Sequence, residues 1–437
     1  MRNLVFLVIV MTLFMGCSLK QHDKTPEVKG PITIMSPEQT QTLPVLSINK
    51  VQKQYISSGS VFAFNCMKTM YAAAEGKDML FSPLSLQYAL AMAANGASGD
   101  TLKEIVDALG YDDNLQNVNA YMKILLEQLP ALDDNVEIKV TDALLVNEDV
   151  KVLKDFQDIM NKEYYAPVES VDLDEKTVTV SRVNDWASLC TDGFISPFIS
   201  ADELDENLLA LILNALYFKA PWAEVGGVQM FFPEATRLSQ PFYRPDEKPV
   251  SVDYMLTSKY LRYAKKDGYQ AVELPYSDGK FAMYILLPDS NDEHVLADII
   301  DRLSEGEWTG LIESLSEGPE VHLSLPKFET TGKYRFKEFL QSLGIEKAFV
   351  SDEAEFDKIL DGGNEAVYIS DIIQKSRIKV TEWGTEAASV TIEQMASALP
   401  PEEHEEVFFT ADHPFVYTIA ERTSGVVLFA GVFAGVK

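Results

Sequence analysis

The sequence predicts an α+β fold for this chain of 437 residues. Three observations carry that reading. Helical periodicity dominates before about residue 205, alternating or continuous apolar runs dominate after it, and nowhere do strands and helices alternate as βαβ units. In chain order, SSGSVFAFNCMKTMYAAAEG, Ser57 to Gly76, predicts a helix with a serine start and a glycine stop. The stretch from Ser82 to Gly110 predicts two helices split at Asn95-Gly96, with Pro83 in the first turn of one and Gly110 closing the other. SRVNDWASLCTDGFI, from Ser181, is a further amphipathic helix. Strands follow in LLALILNALYFKAPW from Leu208, in GYQAVELPYSDGKFAMYILLPDS from Gly268, in VHLSLPKFET from Val321, in SRIKVTEWG from Ser376 and in HPFVYTIAERTSGVVLFAGVF from His413. Asp278-Gly279 marks a hairpin turn. GKYRFKEFLQSLGI, from Gly332, predicts one late helix.

From about Val51 onward no linker, repeat or low-complexity block interrupts the chain, and apolar content suffices for a sizeable core. The formal net charge is -30. Such a chain repels phosphate backbones and anionic membranes, so nucleic acid is not an expected partner.

The first residues, MRNLVFLVIVMTLFMGC, place Arg2 before an apolar run that ends at Met15, followed by Gly16-Cys17. The run is short for a spanning helix and fits a signal-peptide core. It resembles a bacterial lipoprotein signal, although Phe14 stands where such signals usually carry Leu. That resemblance implies a signal peptide over residues 1–16, lipid on Cys17, and an exported chain held at a bacterial envelope by lipid alone. Residues 17–50, polar and carrying Pro26, Pro31, Pro37 and Pro44, predict a flexible tether. Cys66 and Cys190 are too few and too far apart to form a disulfide framework. Cys66 lies in an apolar helical pattern that suits a small buried hydrophobe.

Catalytic signatures are missing. The five histidines form no HExxH pair and no Cys/His cluster, so neither a metal nor a cofactor is predicted. There is no GxSxG elbow and no phosphate-binding GxxxxGK[ST] loop. Ser376 to Lys379 matches S-x-x-K, but in an alternating strand pattern and without a K-T-G partner. His413, ahead of Pro414 at a strand start, reads as a hydrogen-bonded structural histidine.

One stretch remains odd. TEWGTEAASVTIEQMASALPPEEHEE, Thr381 to Glu406, begins as small and β-branched residues and becomes a polar, acidic, proline-bearing loop. At GTEAASVT it resembles the hinge of the serpins, the serine-protease-inhibitor family. FSPLS from Phe81, NALYFKAPW from Asn214, VELPY from Val272, LPKF from Leu325, LGI and AF between Leu343 and Phe349, ADHPFVYTI from Ala411 and GVVLFAGVF from Gly425 resemble serpin signatures in the family's order. The resemblance implies a single domain over residues 51–437 with three β-sheets, helices mostly from the N-terminal half, an exposed reactive-centre loop, no cofactor and a monomeric state. It also implies suicide inhibition of extracellular serine proteases, in which the cut loop inserts as a new strand into the main sheet. A non-inhibitory serpin acting as a binding module, or an inhibitor that also takes cysteine proteases, is the alternative.

By this resemblance the hinge comprises Glu382, Gly384, Thr385, Glu386, Ala387, Ala388, Ser389, Val390 and Thr391. Its side chains are small enough to enter a packed interior, and Glu386 falls on the alternate face, where solvent is available. Ser82, Ser85 and Asn214 match a polar cluster under the sheet opening, with Gln374 where the family often has His. Trp222 matches the aromatic where the hinge enters. Simple core packing is the competing reading of all five. Counting fourteen residues on from Gly384, the family spacing, places the reactive bond at Ala398-Leu399. No Lys or Arg lies between Val380 and Phe409, so an elastase-like protease that forms a covalent complex is the expected partner.

Overall fold

The computed structural model describes residues 30–37, 44–148, 151–173, 175–204, 210–245, 247–316, 319–360, 367–385 and 405–435. The signal segment, Cys17, the hinge from Glu386 to Thr391 and the bond Ala398-Leu399 lie outside them. Residues from Ile32 onward form one compact unit.

Three sheets organise it. The first contains β11 (Phe328–Arg335), β12 (Ile373–Thr381), β13 (Gly384–Thr385), β4 (Ala210–Pro221), β2 (Glu137–Asn147) and β3 (Val168–Val171), in that spatial order. The second runs β1 (Met79–Phe81), β16 (Val427–Phe433), β15 (Phe415–Glu421), β9 (Phe281–Pro288), β8 (Tyr269–Tyr276) and β7 (Tyr263–Lys266). The third runs β14 (Glu406–Thr410), β10 (Glu320–Pro326), β6 (Val250–Tyr260) and β5 (Arg237–Phe242). Helices α1 (Lys50–Ala74), α2 (Pro83–Gly96), α3 (Gly99–Leu109), α4 (Leu115–Gln128), α5 (Lys154–Glu163) and α6 (Lys176–Cys190) precede most strands, whereas α7 (Glu293–Arg302), α8 (Trp308–Ser314) and α9 (Lys337–Ser342) fall late. The α+β expectation with three sheets is met.

Side-chain alternation along β2 explains how the first sheet is covered on both faces. Leu144 and Val146 enter the main core with the buried helix α2, while Ala143 and Leu145 meet Val183, Trp186 and Cys190 of α6 in a second core. Every residue of α2 is buried, as a helix apolar on all sides must be. Ser82 caps α2 by accepting from Ser85 N–H, and Gly110 ends α3 in the left-handed conformation, both at the expected places. The Asp278-Gly279 turn joins β8 to β9, with Gly279 at φ 78°.

Other expectations are corrected. Helix α1 starts at Lys50, not Ser57, because Asn49 and Gln52 form a reciprocal capping box. The serines read as a start lie inside the helix, where Ser60 Oγ donates to Ile56 O. At Gly59 an added Cβ would come within 2.7 Å of Gln87 Oε1, so this glycine permits close packing of α1 on α2. The late helix predicted from Gly332 is shorter: its first four residues belong to β11, which runs to Arg335, and α9 occupies Lys337–Ser342. The early strand β2 and helices α7 and α8 had no counterpart in the predicted elements.

The tether is also corrected over part of its length. Ile32 is buried in the second core and Leu46 in the main one. Thr33 N–H donates to Glu169 Oε1 at 2.6 Å, and Ser47 N–H to Gln128 Oε1 at 2.7 Å. Two apolar side chains in a polar, proline-rich stretch are enough to dock it, and average composition does not reveal them.

Candidate functional site

The first sheet is split. Among the described residues β12 and β4 are joined only through β13, where Val380 pairs with Thr385 and Thr385 with Ala220, and Thr381 pairs with Gly384 and Gly384 with Pro221. Among the described residues no other rung joins β12 to β4. Two hinge residues are therefore already a central strand.

Their seating has a physical cause. Glu382 and Trp383 make a two-residue turn from β12 into β13. Gly384 holds φ 137°, a region L-residues avoid, and a Cβ there would lie 2.1 Å from Ala220 O. Gly384 is thus a fixed, tightly fitted rung of the sheet. Thr385 is buried and shares a hydrogen bond of 2.6 Å with the Tyr276 hydroxyl. The Tyr276 ring stacks on Trp222 at 4.6 Å and 7°. Trp222 grips the turn by donating its Nε1–H to Thr381 O at 2.8 Å and its backbone N–H to Trp383 O at 3.2 Å. Trp222 therefore holds the turn that leads from β12 into β13.

Glu382 is buried at the turn. Burial opposes its ionisation, but its own backbone N–H, the Thr236 hydroxyl at 2.8 Å and the Lys327 ammonium at 3.0 Å outweigh that and hold its carboxyl below the usual range. The turn is tied in this way to the third sheet's neighbourhood through residues 236 and 327. Tyr276, Lys327 and Thr236 were not among the predicted site residues, although the first two lie in the quoted VELPY and LPKF motifs.

The polar cluster assembles in part. Gln374 Oε1 accepts from Ser82 N–H at 2.7 Å, and its Nε2–H donates to Ser82 O at 2.9 Å. Ser82 Oγ donates to Leu428 O at 2.8 Å, which fastens β12 and α2 to β16. Ser85 joins only through its backbone N–H, donated to Ser82 Oγ. Asn214 instead faces Asp142 on β2, directly opposite in register, and donates its Nδ2–H to Asp142 Oδ1. Gln374 fills the histidine's place with both a donor and an acceptor, so the bond to α2 carries no titrating group. Ser376 is buried and donates to Gln374 Oε1, whereas Lys379 is exposed on the opposite face, so the S-x-x-K residues do not meet. Both ring nitrogens of His413 are within hydrogen-bonding distance of partners, Asp412 Oδ1 at 2.8 Å and Pro288 O at 2.9 Å, the arrangement of a structural histidine. Cys66 and Cys190 are buried free thiols, and burial pushes both thiol pKa values up.

Asp142 is the electrostatic anomaly of this sheet. It is buried, and its Oδ2 has no hydrogen-bond partner. Burial pushes its pKa up to about 7, against the lowering effect of the Asn214 hydrogen bond. The folded state therefore binds a proton more tightly than the unfolded chain does. Its stabilising contribution is complete below the unfolded carboxylate value of about 3.9 and is lost as pH rises through about 7. Thermal unfolding should show a loss of up to about 4 kcal/mol between pH 4 and pH 8 that Asp142→Asn removes. Equal pH dependence in the two proteins would show that this carboxyl is ionised in the folded sheet.

Comparison with known proteins places the chain. The family model described as Serpin (serine protease inhibitor) matches residues 57–435. The chain is a serpin. An uncharacterised serpin-like protein of Thermococcus kodakarensis is 30% identical over 437 residues, covering 99% of this chain and 98% of that one. Serpin-ZXA of Oryza sativa subsp. japonica is 31% identical over 382 residues, covering 82% and 90%. The crystal structure of a thermophilic serpin, tengpin, in the native state superposes with a TM-score of 0.78 at 26% identity, covering 90% of this chain and 97% of that one. Protease inhibition rather than catalysis is the general activity of serpins.

Proposed function

We propose that this serpin is a suicide inhibitor of extracellular, elastase-like serine proteases. The single observation that carries the reading is the short strand β13. Gly384 and Thr385 already occupy the centre of the first sheet, between β12 and β4, and among the described residues no further rung joins those two strands. A loop cut downstream could extend this strand, its backbone groups bonding to β12 on one side and β4 on the other. The small side chains from Ala387 to Thr391 suit insertion, and Thr385 is kept where a non-inhibitory serpin commonly carries a charged residue.

The protease class follows from Ala398, whose methyl fits a small specificity pocket, and from the lack of basic residues around it. Mixing the protein with elastase should give a complex stable on a denaturing gel and a released C-terminal fragment that begins at Leu399. A cut chain with no covalent band would favour the binding-only reading, and a different fragment terminus would move the reactive bond. The N-terminal signal supports export and lipid on Cys17, with the chain anchored at a bacterial envelope. Cys17→Ala should then leave the detergent phase, and a variant that stays there is anchored by something else.

A further inference from the structure

The third sheet carries a cluster that protease inhibition does not use. Strand β14 is its edge, paired on one side with β10 in parallel, so that Glu406 lies opposite Glu320. His322 is two residues further along β10 and projects from the same face as Glu320. A ligand atom from each of Glu320, His322 and Glu406 lies within 4.8 Å of the other two.

The imidazole is set for coordination. Its Nδ1 is 2.8 Å from the hydroxyl of Ser258, the residue opposite it on β6. Its ring stacks on Phe408 of β14 at 4.8 Å and 22°, which fixes the ring plane. With Nδ1–H donated to Ser258, the lone pair of Nε2 points towards the carboxylates. Metal-binding histidines commonly donate their other ring N–H to an oxygen in this way, which fixes the tautomer and the ring's orientation. Nε2 has no hydrogen-bond partner, is shielded from solvent, and lies 3.6 Å from Glu406 Oε2, too far for a hydrogen bond. The two glutamates stand directly opposed in a chain of net charge -30, an arrangement that costs energy without a cation between them.

We propose that Glu320, His322 and Glu406 form a divalent-metal site that clamps β14 to β10. One imidazole nitrogen and two carboxylates suit Zn²⁺, with bonds of about 2.0–2.2 Å and water in the fourth position. Small side-chain rotations bring the three atoms around one ion. The imidazole disfavours Mg²⁺ and Ca²⁺, which take oxygen ligands. The position gives the site its consequence. Glu406 opens the strand that receives the chain as it returns from the segment beyond Thr385. Among the described residues this five-residue edge strand has one neighbour, and a metal bridge at its first residue would restrain it.

Calorimetric titration of ZnCl₂ into the untagged, chelator-treated whole chain should show one saturable site. His322→Gln and Glu406→Gln should each weaken it by at least about tenfold, and His294→Gln should leave it unchanged. Zn²⁺ should slow amide exchange from Val407 to Thr410 in the native protein and not in His322→Gln. Glu406 is largely exposed, so its variant keeps the test valid if His322→Gln misfolds. Absence of saturable uptake, equal affinity in the Glu406→Gln protein, or binding without protection of β14 would each overturn the proposal and leave a simple His–Glu ion pair.

Discussion

Cutting the loop after Ala398 is expected to raise the melting temperature of this serpin by about 10–30 °C. Among the described residues of the intact chain, Gly384 and Thr385 alone pair between β12 and β4. Once free at one end, the segment from Glu386 onward can extend β13 between β12 and β4. Each inserted residue gains backbone hydrogen bonds to both neighbours, at roughly 0.5–1.5 kcal/mol net apiece, for a sum on the order of 10–25 kcal/mol. Unfolding entropy near 2.1 cal/mol/K per residue makes each kcal/mol worth about 1 °C in a domain of this size. Differential scanning calorimetry of intact and cut protein measures the shift directly. Identical melting temperatures would mean that the strand does not insert, and the inhibitory reading would fail with it.

Thr385→Arg is expected to turn the inhibitor into a substrate. The threonine is 1% exposed and bonded to Tyr276, whose ring stacks on Trp222. An arginine there either buries an unpaired charge, at several kcal/mol, or pushes β13 out of the sheet. Both outcomes raise the barrier to insertion, and about 1.4 kcal/mol is already a tenfold loss of rate. Hydrolysis of the acyl-enzyme then overtakes insertion. The number of inhibitor molecules consumed per protease inactivated should rise at least about tenfold, while Thr385→Ser, which keeps the hydroxyl, should stay near the native value. An unchanged ratio in the arginine variant would show that Thr385 does not lead the insertion.

Local signals carried much of the architecture. Ser82 and Gly110 bound their helices, Asp278-Gly279 turns its hairpin, and the long apolar runs became the buried strands β9, β15 and β16, because caps, turns and periodicity act over a few residues. The same locality explains the errors at α1 and α9. Ser57 looked like a cap, but Asn49 and Gln52 satisfied the helix end seven residues earlier. Gly332 to Arg335 looked helical, but β12 lay opposite and completed a ladder. Ile32 docks through one side chain that no window average registers.

The sequence by itself determined the small-residue hinge from Gly384, the lack of basic residues in the loop, the strongly acidic charge and the order of motifs that marks a serpin. All of these are properties of neighbouring residues or of the whole composition. Tertiary structure alone decided that Thr385 already sits in the sheet on Tyr276, and that Asn214 faces the buried Asp142 while Ser82 and Gln374 pair apart from it. It alone brought Glu406 beside Glu320 and His322. Each of these contacts joins side chains dozens to hundreds of residues apart, and their meeting depends on strand register. Register is set by which face of a sheet is buried and by which strands become neighbours, and only the assembled core settles both.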